Sequence, residues 1–214
     1  TKTSQICGAE PMLRWHHPRK GMVSPARFLP LLAKLPIEKQ VANWMLRQSF
    51  AQAHSWEDNK LIYFTAFESQ LTDANLAQNI AESLEQASLR PQQLVFQIRE
   101  RHLTSCAEAT IFQLVKMQSM GIRIVISQYG TSNLSLPQMR NLPINGLKID
   151  PTLTGRLETN EQLIRGITAL SKSLGFTIMA DGVSSAKQLT ALTALGCSTC
   201  QGLYIGQPKP NLSI

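Results

Sequence analysis

Polar residues follow two apolar stretches near the middle of the chain, where they could form part of a chemical site. Residues 122–126 are apolar except for Arg123 and lead into Ser127 and Gln128, and a similar stretch further on contains Lys148 and ends at Asp150. Both stretches are typical of parallel strands, whose carboxyl ends carry the active site in barrels of alternating strands and helices. Two carboxylates at positions 127 and 128 would indicate a metal site, whereas a hydroxyl and an amide do not.

The elements that position these residues alternate between short β-rich runs and runs with helical spacing. Seven strands are predicted, near residues 6, 61, 94, 122, 144, 176 and 199. The predicted helices cover residues 24–35, 37–54, 73–87, 104–120, 134–141, 160–174 and 186–195. This alternation is typical of an α/β fold with a parallel sheet. An eighth strand, expected before Thr1, would close a (β/α)8 barrel; an open doubly wound sheet is the alternative, although no G-x-G-x-x-G or Walker loop supports it.

Local signals give further expectations about individual segments. Residues 6–15 are predicted to form a strand that ends in a loop, and residues 16–21 a turn with both histidines in solvent. Ser24 is predicted to cap the first helix and Asp73 a later one. Trp44 and Met45 are expected to face the core, because they follow the helical spacing of the second helix.

Length and composition limit the class of protein. The chain has 214 residues, of which 43% are hydrophobic, so one domain with one core is expected. No apolar run reaches 18 residues and no leader opens the chain, so we expect neither a transmembrane helix nor a signal peptide, and a cytoplasmic location. The sequence does not begin with Met, so we expect it to be a fragment of a longer protein. The net charge of +7 suits an acidic partner, but the basic residues are scattered, so nucleic acid is not expected.

Cys197 and Cys200 form a C-x-x-C pair near the end of the chain. A zinc ribbon would need a second pair, and a thioredoxin-like site would need the motif to open a helix. The pair lies instead between two short β-like segments. We therefore interpret both cysteines as buried thiols.

Five sequence blocks in order resemble the EAL domain of bacterial cyclic di-GMP signalling. The blocks are GAEPMLRW (8–15), SPARFLP (24–30), LPINGLKID (142–150), ADGV (180–183) and LGCSTCQG (195–202), followed by Pro208. The resemblance covers almost the whole chain and implies a TIM-like barrel of the EAL type that lacks the family's N-terminal strand. It also implies that residues 1–214 form one degenerate EAL domain, a fragment of a longer multidomain protein.

The resemblance implies that the metal-holding positions have lost their carboxylates. Active members of the family hydrolyse cyclic di-GMP with two Mg²⁺ or Mn²⁺ ions. In this chain the metal-binding asparagine falls at Thr65, and the carboxylate positions are occupied by Gln97, Ser127 and Gln128. Neutral groups cannot offset the charge of two divalent ions in a partly desolvated pocket, so we expect no divalent metal.

Other positions of the catalytic face are kept or nearly kept. Glu10 matches the signature glutamate, Lys148 matches the phosphate-facing lysine, and Gln201 is retained. Asp181 is one methylene shorter than the glutamate expected to act as general base, and Ser184 replaces a second glutamate. Glu100 is also kept. Together these changes predict a pseudo-phosphodiesterase with no catalytic residue; a weak enzyme is one alternative.

The remaining groups suit the binding of a nucleotide. Arg14 matches an arginine that pairs with a ligand phosphate, and a buried structural ion pair is its alternative role. Met12 could supply an apolar contact, and Tyr129 and Pro208 are expected at strand ends where a guanine could rest. The predicted nucleotide-binding set comprises Glu10, Met12, Arg14, Tyr129, Lys148, Asp181, Gln201 and Pro208.

Two short motifs refine the resemblance. VFQ (95–97) and ISQYG (126–130) resemble the degenerate EAL domain of FimX-type proteins, which bind cyclic di-GMP without cutting it and act in type IV pilus assembly with a PilZ-domain protein. The resemblance implies a cyclic di-GMP receptor that controls type IV pili and twitching motility. A PilZ-domain protein and a second copy of the chain are the candidate protein partners, and no membrane is expected. A nucleotide-independent docking module is the other alternative, because Ala42 replaces an acidic residue that many members direct at guanine.

Overall fold

A computed structural model describes residues 5–56 and 60–210. By their contacts these residues form two compact units. The N unit contains Cys7–Val95 and Glu108–Ile122, and the C unit contains Phe96–Ala107 and Arg123–Pro210. The boundary falls within a strand, so that each unit contributes strands to the sheet.

Strands and helices alternate along the chain. The strands are β1 (Gly8–Ala9), β2 (Trp15–His17), β3 (Gly21–Val23), β4 (Leu61–Thr65), β5 (Leu94–Arg99), β6 (Arg123–Tyr129), β7 (Gly146–Ile149), β8 (Thr177–Ala180) and β9 (Thr199–Cys200). The helices are α1 (Pro25–Leu32), α2 (Glu38–Ala53), α3 (Glu68–Leu71), α4 (Leu76–Gln86), α5 (Glu108–Ser119), α6 (Leu136–Arg140), α7 (Pro151–Gly155), α8 (Leu157–Ser173) and α9 (Ala186–Ala194). None of the helices in the described parts of the chain is long and apolar enough to cross a bilayer.

The sheet has seven strands in the order β1-β4-β5-β6-β7-β8-β9, and a separate hairpin pairs β2 with β3. The pairs β1–β4, β6–β7, β7–β8 and β8–β9 are parallel. The order of the strands in the sheet therefore follows their order along the chain, as expected when each helical connection places the next strand beside the previous one. The seven predicted strands are confirmed, each within a few residues of its predicted position.

The N unit packs helices against strand β4. Its fully buried side chains come from α2, β4, α4 and α5, and include Phe50, Phe64, Ile80, Leu114 and Met117. Each such side chain contributes about 1.5–3 kcal/mol relative to an exposed one. The largest fully buried side chains of this unit are therefore apolar.

The C unit is built on the neighbouring strands β6 to β9. Gly146 lies opposite Thr177 in the β7–β8 pair, and a Cβ at Gly146 would lie 2.2 Å from Oγ1 of Thr177. Glycine is therefore required at the start of β7 for this register. Strand β6 has a register shift between Ile126 and Tyr129, where Gln128 has a φ of 54°. Such a bulge turns the end of a strand and re-aims its side chains.

Several local predictions are wrong. Strand β1 covers only two residues, and His16 and His17 lie in β2, which pairs with β3 through a turn at residues 18–20. Nδ1 of His17 accepts a hydrogen bond from the Arg19 amide and so stabilises that turn. The Trp44 side chain is half exposed, whereas Met45 is buried as predicted.

The predicted helix caps also need correction. Ser24 is the N-cap of α1, but its side chain makes no capping hydrogen bond. Asn75, not Asp73, is the N-cap of α4. The Asp73 carboxylate accepts a hydrogen bond from the Asn75 amide and forms an ion pair with Lys39 at 3.0 Å. These contacts lower the pKa of Asp73, although its partial burial opposes them.

Candidate functional site

The ends of β7, β8 and β9 bring three predicted site residues together in the C unit. We call Lys148, Asp181 and Gln201 the lysine cluster. Nζ of Lys148 donates a hydrogen bond of 3.0 Å to Oε1 of Gln201 and lies 3.4 Å from Oδ2 of Asp181. The Lys148 side chain is 5% exposed and that of Asp181 is 29% exposed. The lysine is thus a nearly buried cation whose counter-charge is accessible to solvent.

Two hydrogen bonds fix the position of Asp181. Its Oδ1 accepts a hydrogen bond from the Gly182 amide, and its carbonyl accepts one from Oγ1 of Thr154.

Asp150, at the end of β7, has a different role, because its carboxylate accepts a hydrogen bond from the Thr152 amide and caps α7. The carboxylate of Asp150 therefore has a structural role as a helix cap.

Glu100 anchors the loop that follows β6. Its Oε2 accepts three backbone hydrogen bonds, from the amides of Gly130, Thr131 and Ser132, at 2.9, 3.1 and 3.0 Å. The side chain is buried. One carboxylate oxygen therefore holds three successive residues of a loop, and hydrogen bonds to a charged acceptor are the stronger kind.

Replacing Glu100 with alanine should release this loop. Each hydrogen bond to a charged group contributes about 1.5–3 kcal/mol, and the variant leaves three amides without their acceptor. We expect faster hydrogen exchange at residues 130–132 and a lower free energy of unfolding by roughly 3 kcal/mol. Glu108→Ala, on the exposed start of α5, serves as the control. Unchanged exchange in the Glu100→Ala loop would contradict the anchoring role.

Gln97 and Ser127 are buried polar side chains at the ends of β5 and β6. Both amide atoms of Gln97 and Oγ of Ser127 have no hydrogen-bond partner among the described residues. Each residue lies two positions before the end of its strand. A buried polar group without a partner costs about 1–3 kcal/mol, so these groups are suited to bind water or a ligand. Gln128, next along β6, is exposed.

Glu10 and Thr65 meet in the N unit. Oγ1 of Thr65 donates a hydrogen bond of 2.8 Å to Oε1 of Glu10. The contact joins the signature position to the end of β4. A hydroxyl and one carboxylate are thus the oxygen groups that this pair offers to a ligand.

Arg14 is exposed, and the alternative of a buried ion pair for it is wrong. It forms no ion pair within residues 5–56 and 60–210, and its guanidinium donates to the carbonyl of Leu13 and to Sδ of Met12 at 3.1 and 3.6 Å. A thioether is a weak acceptor. The guanidinium can therefore exchange these contacts for a phosphate.

Tyr129, Pro208 and Ser184 are three further residues singled out from the sequence. Tyr129 is buried, and burial together with the nearby Glu100 charge raises the pKa of its hydroxyl. Pro208 is exposed beyond β9, and Ser184 donates to Oε1 of Gln188 beside the start of α9. No hydrogen bond between described residues joins Tyr129 or Pro208 to the lysine cluster or to Glu10.

The two neighbouring cysteines are thiols, in keeping with the interpretation from sequence. Cys197 is buried, and burial raises the pKa of its thiol to about 12. Cys200 is half-buried, and burial raises its pKa as well. Over the described parts of the chain, no three His, Cys, Asp or Glu side chains are grouped so as to hold a metal ion.

Comparison with known proteins gives the family. The model of the EAL domain matches residues 1–208. The chain belongs to the EAL domain family. Among curated relatives of this EAL domain, the bifunctional diguanylate cyclase/cyclic di-GMP phosphodiesterase MucR of Pseudomonas aeruginosa is 32% identical over 214 residues, which cover 96% of this chain and 31% of MucR. The chain spans about a third of the length of such relatives, from 26 to 32% for three of them.

Solved structures confirm the predicted EAL-type fold. The MucR phosphodiesterase of P. aeruginosa in complex with cyclic di-GMP has a TM-score of 0.90 and 31% identity, covering 95% of this EAL domain and 85% of that chain. The FimX EAL domain of P. aeruginosa, bound to cyclic di-GMP, has a TM-score of 0.85 and 24% identity, covering 94% and 83%. At that identity the likeness to FimX concerns the fold, and the FimX-type assignment stays a prediction.

Two features of the site were missed at the level of sequence. Glu100 was noted only as a retained residue, although it holds the loop after β6. The absence of partners for Gln97 and Ser127 was also not expected. A buried polar residue in an otherwise apolar strand is the one sequence signal that could have indicated it.

Proposed function

We propose that this EAL domain binds cyclic di-GMP as a receptor in bacterial signalling and does not hydrolyse it. The observation that carries the proposal is the composition of the strand ends in the C unit. They keep the nearly buried Lys148 beside Asp181 and Gln201, but have neutral side chains in Gln97 and Ser127. A phosphate can use such a cation, whereas a metal pair lacks its ligands.

The donor set does not suit the two divalent ions that the family implies. Hard cations such as Mg²⁺ and Mn²⁺ are bound through carboxylates, and a close metal pair needs several of them. Gln97 and Gln128 offer amides, Ser127 offers a hydroxyl, and Thr65 already donates to Glu10. These side chains therefore do not fit a close pair of divalent ions, and we propose that the chain has lost the hydrolysis that depends on such a pair.

The proposed binding residues supply contacts of three kinds. Lys148 and Arg14 are cations suited to the phosphates, and a guanidinium can bind phosphate through two parallel hydrogen bonds. Asp181 and Glu10 can accept hydrogen bonds from the edge of a guanine. Met12 can contact the ligand as an apolar group. The remaining proposed residues are Tyr129, Gln201 and Pro208.

The finer part of the proposal follows the FimX-type motifs at residues 95–97 and 126–130. It comprises control of type IV pili and twitching motility, a PilZ-domain protein or a second copy of the chain as partner, and a cytoplasmic location. It also includes a single degenerate EAL domain over residues 1–214 that is part of a longer protein.

Calorimetry with cyclic di-GMP tests the proposal. We expect a binding heat at tens of micromolar protein in EDTA, and no linear dinucleotide after incubation with Mn²⁺, with the MucR phosphodiesterase as the positive control. Arg14→Ala should weaken binding by about tenfold or more, since a hydrogen bond to a charged group contributes about 1.5–3 kcal/mol. Arg140→Ala, which removes an exposed cation on α6, is the matched control.

Two results would contradict the proposal. No heat with the parent chain would remove the receptor function. Linear product that requires Mn²⁺ and disappears in Glu10→Ala would show a weak enzyme in place of an inactive receptor.

A nucleotide-independent docking module is the second candidate. It is favoured by α2, where Ala42 is buried and Trp44 is half exposed. An exposed tryptophan is typical of protein interfaces. This candidate predicts a partner complex that forms equally well with and without cyclic di-GMP and is weakened by Trp44→Ala.

A further inference from the structure

A stretch of the N unit carries most of the excess positive charge. We call residues 11–37 the basic lobe; it contains the hairpin β2–β3, helix α1 and the segment that leads to α2. Its cations are Arg14, Arg19, Lys20, Arg27 and Lys34, and it has no acidic residue. The chain as a whole has a net charge of +7. The positive charge is therefore concentrated in this segment of the chain.

Four of these cations have no ion-pair partner among the described residues. Arg19, Lys20, Arg27 and Lys34 are exposed, and no ion pair within the described parts of the chain includes them. The nearest following acid, Glu38, is buried and accepts a hydrogen bond from the Ser69 amide. By contrast, Lys39 just beyond the lobe pairs with Asp73. The lobe thus presents uncompensated positive charge to solvent.

Large apolar side chains are exposed among these cations. They are Met12 (51%), Trp15 (43%), Met22 (55%), Leu31 (61%), Leu35 (52%) and Ile37 (49%). The rings of Trp15 and Phe28 are in edge contact at 5.9 Å, which joins the hairpin to α1. The hairpin and α1, which carry Trp15, Met22 and Leu31, are therefore packed against each other, and Leu35 and Ile37 follow α1.

Helix α1 shows how the two kinds of side chain are combined. Arg27 and Leu31 are four residues apart in α1, which places them along one face, and Lys34 follows two residues after the helix ends. All three are exposed, while Phe28 on another face is buried. The exposed surface at α1 thus combines one apolar residue with a cation before it in the helix and a cation just after the helix.

We propose that the basic lobe binds the surface of an anionic lipid bilayer. Cations near such a surface gain about 1 kcal/mol each, and neighbouring Trp, Leu, Met and Ile side chains can enter the boundary between headgroups and acyl chains. Nucleic acid would use the cations but not the exposed aliphatic residues. The proposal departs from the expectation that no membrane is a partner, because sequence alone did not show which apolar residues stay exposed.

Sedimentation with lipid vesicles tests this proposal, without nucleotide and on the whole chain. We expect binding to vesicles of phosphatidylcholine with phosphatidylglycerol, little binding to phosphatidylcholine alone, and release at high salt. Arg27→Gln with Lys34→Gln should weaken binding by about 25-fold, at roughly fivefold for each cation. The matched control, Arg140→Gln with Lys172→Gln, removes two exposed cations from the C unit and should have little effect.

A separate variant tests the apolar part of the surface. Leu31→Ser keeps every charge and should weaken binding to the anionic vesicles. Thermal unfolding and cyclic di-GMP titration of each variant should match the parent, since none of these residues belongs to the proposed nucleotide site. This separates failure of the lipid proposal from failure of the receptor proposal.

Three outcomes would overturn the lipid proposal. The first is the absence of binding to either kind of vesicle. The second is an equal loss of binding in the control pair, which would indicate net charge and not the lobe. The third is binding to polyglutamate without binding to vesicles, which would identify an acidic protein segment as the partner.

Discussion

Lys148→Met is expected to bind cyclic di-GMP about a hundredfold more weakly than the parent chain, if the receptor proposal holds. The variant removes the nearly buried cation while keeping a similar side-chain length. A charge-assisted hydrogen bond contributes about 1.5–3 kcal/mol, which corresponds to roughly 10–150-fold in affinity. Folding should survive, because the Asp181 carboxylate is 29% exposed and can be hydrated. Calorimetric titration in EDTA measures the change.

The matched control for this variant is Lys172→Met, which removes an exposed cation near the end of α8. It should bind the nucleotide like the parent chain. If Lys148→Met also binds within threefold of the parent, the phosphate does not use the lysine cluster. Thermal unfolding of both variants shows whether a loss of affinity reflects the site or the fold.

Gly202→Ala is expected to destabilise the chain strongly. A Cβ at residue 202 would lie 2.2 Å from the carbonyl oxygen and 2.3 Å from the nitrogen of Val183, and the φ of Gly202 is 153°. Val183 also accepts a hydrogen bond from the Tyr204 amide and donates one to the Gln201 carbonyl. Backbone strain and overpacking each cost about 1–3 kcal/mol, so we expect a loss of roughly 4 kcal/mol.

Thermal unfolding measures this loss, and the midpoint should fall by roughly 10 °C in a chain of this size. Gly206→Ala is a close control, because a Cβ at Gly206 meets nothing within 4 Å. Its midpoint should stay near that of the parent. A Gly202→Ala midpoint equal to that of Gly206→Ala would show that the segment after β9 can move away from Val183 at little cost.

The parallel sheet could be predicted because its central strands are buried on both faces. In β6 and β7, β-branched and apolar residues follow one another almost without interruption. The helical segment between these two strands does not show this pattern. Gly121, Gly175 and Gly196 follow the ends of predicted helices, and all three have positive φ. Such local signals need no knowledge of tertiary contacts.

Features that depend on distant contacts could not be predicted in the same way. Glu100 accepts amide hydrogen bonds from residues about thirty positions away, and no local pattern encodes that distance. The hairpin β2–β3 has strands of three residues, too short for a period of two to appear. Helical spacing placed Trp44 and Met45 close together, but which of them faces the core is decided by the elements packed on α2.

The left-handed backbone at residue 128 also bears on how the chain can change over generations. Aspartate and asparagine adopt a positive φ more readily than glutamine does, and the side chain of Gln128 is exposed. An acidic residue could therefore occur at this position without a cost to folding. The fold therefore does not require a neutral side chain at residue 128.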